Sequence, residues 1–244
     1  MNNDASNTTE NNEAMTKATN DKLSTLNNID ALSEYLKAEA GERTGRAIPP
    51  LEKWDPKSVI DMDLVIKANG EWRHEGSKVT RESLVSLFAS ILWKEEDNGI
   101  TEYFLKTPVQ KIRIQVEDAP LLINDVGIVN EGNESWLEFT TTTGDVVRLD
   151  DEHLITLEAY HSKSSDSSTI DKVSTADSNE NNQEVADDAS IRPYMTVRNS
   201  LTALIGRNTF YHLTEIGELT EEHGDTILTL QSGGKSYQLS MPTN

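Results

Sequence analysis

The sequence predicts an α+β fold built from a duplicated module in which a strand hairpin, a helix and a second strand hairpin follow one another. Three observations predict it. Short runs that alternate apolar and polar residues fill residues 61–160 and 194–239. Two helical stripes interrupt them, one at Leu84, Leu87, Phe88, Ile91 and Leu92, the other at Phe210, Leu213 and Ile216. The segment VTRESLVSL (79–87) also aligns without gaps on IGRNTFYHL (205–213), sharing Arg81 with Arg207 and Leu87 with Leu213, and the order of elements around both is the same.

With 244 residues the chain can bury a core without covalent staples. It has no cysteine, which excludes a disulfide framework, thiolate catalysis, iron–sulfur ligation and Cys-type zinc sites. Residues 1–30 show no basic start followed by an apolar run, and no stretch approaches the ~20 apolar residues of a membrane span, so a cytoplasmic address is expected. Against 42 acidic residues stand 22 basic ones, a net charge of -20 that repels phosphate backbones and anionic lipid. Neither general nucleic-acid binding nor membrane association is expected, although a small basic pocket can still sit inside such an acidic shell.

Residues 1–27 are mostly Asn, Thr, Ser, Asp and Glu and have almost nothing to bury, so they read as a disordered tail. The Ser/Asp/Asn-rich stretch 162–190 reads likewise as a flexible insert. A helix and connection occupy 28–47, with Ile29, Leu32, Tyr35 and Leu36 at helical spacing, Asn28 or Asp30 as cap, and Gly41 as stop. Pro49 and Pro50 then force an extended approach to the folded body.

The N-terminal repeat spans 48–118. Asn69-Gly70 between two apolar-containing runs is a hairpin signal. The helix that follows is capped by Thr80 and stopped by Asp97-Asn98-Gly99. Strands at 103–105 and 111–116 complete the repeat, the latter with Ile112, Ile114 and Val116 on one face.

The C-terminal repeat spans 119–244. It starts as a meander over 121–160, broken at 130–133, 143–145 and 150–151, with Ile123, Val126, Leu137, Phe139, Val147, Ile155 and Leu157 as core candidates. After the insert come a hairpin of 194–197 with 201–205, a short helix ended by Gly217, and strands 226–230 and 237–239 paired across Gly233-Gly234.

Motifs for familiar chemistry are few. SGGKS (232–236) looks like the end of a phosphate-binding loop, but the upstream glycine is missing and a strand rather than a helix follows, so a hairpin turn is expected. Five histidines are scattered without an HExxH pair, and His212 beside Tyr211 is the one to watch. There is no GxSxG, GxGxxG or kinase set, and no cofactor or metal is implied. Asp61 and Asp63 share a strand face, either as paired carboxylates or as solvated charges on an edge.

In so acidic a chain the gathered cations are more informative. Lys111 and Arg113 project from one strand face. Arg81 and Arg207 stand at the two helix starts, where backbone amides already favour an anion, and Arg198 follows the 194–197 strand. If the repeats pack as a pseudo-symmetric pair, Arg81 and Arg207 converge on their interface. The alternative is that each pairs with a carboxylate such as Glu117 or Asp118, and those acids could equally fix the arginines for a ligand.

PPLEKW (49–54), DMDLVIKANGEWRHEGSKVTRESLV (61–85), LKTPVQKIRIQVEDAPL (105–121), PYMTVRNSL (193–201) and GRNTFYHL (206–213) resemble the bacterial family of domain of unknown function 1285. The resemblance implies a duplicated core, a C-terminal half superficially similar to pleckstrin-homology-like folds, a groove between halves for a nucleotide-like ligand, and a role in signal transduction. Carried onto this chain, its groove candidates are Trp72, Arg81, Lys111, Arg113, Glu117, Asp118, Tyr194, Arg198, Arg207 and Tyr211. Gln110 replaces an expected acid and Leu121 an expected Phe, and the insert at 162–190 looks peculiar to this member.

Three functions are open at this point. The first is a ligand-sensing module in which arginines clamp an anionic small molecule and Trp72 or Tyr211 stacks on its base. The second is a protein-interaction scaffold using a sheet face or edge. The third is an enzyme using Asp61, Asp63 or His212.

Overall fold

Ser58–Ile66 buries Met62, Leu64 and Ile66 on one face, leaves Val59, Asp61 and Asp63 exposed on the other, and opens the first sheet as β1. β2 (Trp72–His74) and β3 (Ser77–Lys78) fold back on it, helix α2 (Glu82–Ser90) crosses over, and β4 (Leu92–Asp97), β5 (Ile100–Lys106) and β6 (Gln110–Val116) return. The second sheet uses β7 (Leu121–Glu131), β8 (Glu134–Thr141), β9 (Val146–Arg148), β10 (Ile155–Tyr160), β11 (Ser190–Arg198) and β12 (Leu201–Ile205). Helix α3 (Arg207–Ile216) leads to a third sheet of β13 (Glu218–Glu222), β14 (Asp225–Ser232) and β15 (Lys235–Pro242), and α1 (Ile29–Ala40) precedes everything. The computed structural model describes residues 28–40, 48–160 and 190–242. The expected tail at 1–27, Gly41 and the insert up to residue 189 lie outside the described residues, whereas Ser190 is already strand.

Duplication is plain in the strand pairing. The first sheet runs β3-β2-β1-β6-β5-β4 and the second β9-β8-β7-β12-β11-β10. In each, two three-stranded antiparallel meanders are joined by one parallel pair, β1 with β6 and β7 with β12. The strand leaving each pair closes it with the same bond: Glu117 N–H donates to Ile66 C=O at 2.9 Å, and Gly206 N–H to Ile123 C=O at 2.9 Å.

That correspondence corrects the expected equivalence of the two helix starts. Helix α2 links the third and fourth strands of its sheet, whereas α3 follows the sixth strand of its own. One residue beyond the matching bonds, Arg207 therefore stands where the first sheet has Asp118, not Arg81. The meander, helix, meander order does recur along the chain, but among the described residues β13–β15 pair only with one another. Chain order is a local property, and partner choice between strands is not.

One hydrophobic cluster runs through both halves, from Leu32, Leu64 and Phe88 to Ile123, Phe139 and Leu228. Asn28 caps α1, its Oδ1 accepting the Asp30 N–H at 2.8 Å. Pro49 and Pro50 lead into a 3-10 turn at Leu51–Lys53 rather than extended chain, and Leu51 is fully buried by it.

Helix α2 ends at Ser90, and the residue at its N-cap is Arg81 rather than Thr80. LWKEED, expected as its continuation, is β4, and Asn98-Gly99 is the hairpin turn to β5 with both φ angles positive. Gly217 ends α3 by donating to Leu213 C=O at 3.0 Å. SGGKS is the β14–β15 turn, with Ser232 paired to Lys235 across Gly233 and Gly234. Ser232 also docks the third sheet on the second: its Oγ donates to Leu149 C=O at 2.7 Å and accepts Leu137 N–H at 3.1 Å. Among the described residues no helix is long and apolar enough to cross a membrane.

Candidate functional site

Three threonines, 141 to 143, lead into a turn whose Gly144 and Asp145 line a groove on the second sheet. Thr141, Thr143 and Asp145 are buried, and Gly144, at φ 88°, lets the chain reverse between them. Asp145 N–H donates to Thr141 Oγ1 at 2.9 Å, and the hydroxyls of Thr141 and Thr143 lie 3.2 and 3.3 Å from Asp145 Oδ2. This leaves Asp145 Oδ1 aimed at β11, where Arg198 Nε donates to it at 2.8 Å.

The groove encloses about 620 Å³ and is walled by Ile48, Val146, Val147 and Val197, with Arg148, Arg198 and His153 facing Glu138, Asp145 and Asp150. Arg148 reaches Glu131 at 2.5 Å and Glu138 at 3.3 Å, its guanidinium 5.5 Å from the Trp136 ring centre. His153 is held by Asp150, whose Oδ1 lies 2.9 Å from the ring Nδ1 and accepts the backbone N–H groups of Glu152 and His153. Burial pushes the Asp150 carboxyl up, but those hydrogen bonds together outweigh it and its pKa lies below the usual value.

Of the ten residues expected at a groove, Arg198 alone lines this one. Trp72 is buried against Phe88, ring centres 6.4 Å apart, so it belongs to the core. Arg81 bonds Asp30 of α1 at 3.2 Å on the surface. Arg207 is exposed at the start of α3 without an ion pair among the described residues, and Tyr211 is exposed one turn on.

Lys111 and Arg113 do share a face, the outer side of the first sheet. Lys111 bonds Glu95 at 2.6 Å, Arg113 bonds Asp61 and Glu102 at 2.8 Å each, and both cations roof the Phe104 ring. Asp61 is thereby an ion-pair partner. Glu117 pairs with Lys67, whose ammonium holds its carboxyl below the usual range. Gln110 and Leu121 are buried at the starts of β6 and β7, away from the groove.

Asp118 and Tyr194 are brought together, with Arg192 added. In the connection between the two sheets, the almost buried Asp118 accepts the Tyr194 hydroxyl at 2.6 Å and Arg192 Nη1 at 2.7 Å. Arg192 lies on the Tyr160 ring, 3.5 Å from its centre. Burial, then the bond to Asp118 and the negative charge there, push the Tyr194 phenol far above its ordinary value near 10. The folded state thus holds this proton more tightly than the unfolded one, a contribution present below pH ~10 and lost as pH rises beyond it. Urea unfolding followed from pH 8 to 11.5 is expected to show a falling alkaline limb that is shallower in Tyr194→Phe, and equal limbs would refute the assignment.

Family models decide what the chain is similar to. The N-terminal domain of DUF1285, a domain of unknown function, matches residues 49–119, and the C-terminal domain of the same family, a protein of unknown function, matches residues 168–239. The chain belongs to the DUF1285 family.

A DUF1285 protein from Silicibacter pomeroyi, known from a crystal structure, is 30% identical with a TM-score of 0.59, covering 84% of this chain and 94% of that one. A second, from Shewanella baltica, is 28% identical with a TM-score of 0.41, covering 63% of this chain and 91% of its own. No curated protein matches the chain. Within this DUF1285 chain, Arg198 lies in the second matched segment, and the β8–β9 wall with Asp145, Arg148 and His153 lies between the two.

Sequence reasoning missed Arg148, His153, Asp145 and Arg192. A signal existed for Arg192, which shares a strand face with Tyr194 by period two. Asp145 gave none, because a Thr-Gly-Asp break reads only as a turn, and His153 was one of five scattered histidines with no ligand spacing to single it out.

Proposed function

We propose that this protein is a ligand-binding regulatory module that takes an anionic, nucleotide-like small molecule in the groove between β9 and β11. The observation that carries the reading is the groove's make-up: about 620 Å³, within the usual range for small-molecule sites, with aliphatic walls and three nitrogen-bearing side chains, Arg148, Arg198 and His153, each held in place by a groove carboxylate, Glu138, Asp145 and Asp150 respectively. Phosphate or carboxylate is the group such donors recognise best. The walls are aliphatic, so the stacking role expected of Trp72 or Tyr211 has no counterpart in the groove.

Thermal unfolding with a panel of nucleotides and inorganic phosphates tests it. A ligand at ~100 times its dissociation constant is expected to add about 2.7 kcal/mol, and Arg148→Gln to remove most of that gain. Absence of any shift across the panel would count against the reading.

A scaffold role has one observation in its favour. Every residue of β13 is exposed, Leu219 among them, and its outer edge is unpaired among the described residues. A protein partner whose binding survives Arg148→Gln but is lost in Thr220→Pro would favour that role.

A further inference from the structure

Helix α2 reaches its C-terminus with no basic residue in its last turn. The carbonyls there carry the negative end of the helix dipole, and local groups meet some of them: Ile91 N–H donates to Phe88 C=O at 3.1 Å and Ser90 Oγ to Leu87 C=O at 2.6 Å. Arg198, on β11 of the other sheet, supplies a cation that the helix itself lacks there: its Nη2 donates to Ala89 C=O at 2.5 Å, which the Ile91 N–H also approaches, while Nε holds Asp145 at 2.8 Å. Its remaining nitrogen, Nη1, is buried without a hydrogen-bond partner among the described residues.

The same side chain lines the groove. Two of its nitrogens are committed and the third is inaccessible, so an anion in the groove can engage this guanidinium only if it turns. Turning it gives up the Ala89 bond. The latched position also leaves a guanidinium nitrogen unsatisfied in a buried place, a standing cost of that arrangement.

We propose that Arg198 is a two-position switch whose partner is the C-terminal carbonyl of α2 in the free protein and the anionic group of the groove's ligand in the bound one. Ligand binding on the second sheet then loosens the end of a helix in the first half, which is the output a regulatory module needs. This deepens the ligand-binding reading and rests on it.

Hydrogen exchange on the full chain, with inorganic pyrophosphate as the probe, tests the switch. Pyrophosphate is expected to slow exchange at residues 144–148 and to speed it about tenfold at residues 86–91, the local-opening range of a frayed helix end. Arg198→Gln is expected to speed residues 86–91 to the same degree without the probe and to abolish the response. Should that variant fail to fold, Arg198→Lys keeps a cation but cannot bridge two acceptors, and it is expected to act in the same direction with a smaller change. Protection in the groove with unchanged or slower exchange in α2 would overturn the switch and leave the ligand reading standing. Unchanged α2 exchange in both Arg198 variants would overturn it too. No protection by pyrophosphate at any residue of the groove would bring down both.

Discussion

Replacing Asp118 by alanine is expected to cost about 3–5 kcal/mol of folding stability, measured by urea unfolding at pH 7. Both carboxylate oxygens are used, one by the Tyr194 hydroxyl at 2.6 Å and one by Arg192 at 2.7 Å, and the acid is almost entirely buried. Alanine strands a half-buried guanidinium and a buried hydroxyl together, and each unsatisfied group keeps its desolvation cost. Tyr194→Phe removes only one donor and is expected to cost about 1–2 kcal/mol. In the double variant the hydroxyl is no longer left stranded, so its loss is expected to be smaller than the sum of the two single losses. A loss below about 1 kcal/mol for Asp118→Ala would mean that the connection between the sheets does not depend on this cluster.

Gly233→Val is expected to be nearly as damaging, about 3 kcal/mol, because two penalties fall on one residue. Gly233 holds φ at 58°, which a β-branched residue avoids, and a Cβ there would lie 2.3 Å from Cη2 and 2.4 Å from Cζ3 of Trp136. The β14–β15 turn is pressed onto that indole, and Gly233 N–H also donates to Ser135 C=O at 2.9 Å. Gly234 is the internal control. Its φ is 71°, but the nearest atom to an added Cβ is Glu134 Oε1 at 3.7 Å, so Gly234→Asn is expected to cost well under 1 kcal/mol. Unfolding curves with tryptophan emission as the readout check both, and equal costs at the two glycines would refute the contact argument.

Much of the fold was legible locally. Gly70, Gly233 and Gly234 mark hairpins because each holds a left-handed φ, and Gly217 ends α3 in extended backbone, its N–H still donating to Leu213 C=O. The boundary between α2 and β4 was not legible. Leu92 is buried whether it extends a helical stripe or faces the core from a strand, and Asp97-Asn98-Gly99 serves as a stop for either element.

The candidate site was less legible than the fold. Arg198 stood out as a cation in an acidic chain, but its partners Asp145 and Ala89 lie 53 and 109 residues away. Arg81 and Arg207 looked equivalent from helix starts alone, and strand pairing gave them unrelated places.

Composition, turn chemistry and apolar period determined that this chain is an acidic, duplicated α+β protein and where most of its strands turn, since each of those properties acts over a few residues. Tertiary structure decided that Asp118 takes Arg192 and Tyr194, and that an arginine of the second sheet holds the end of a helix in the first. Those contacts exist only after long loops close and parallel strands choose their register, and no short-range preference records that choice.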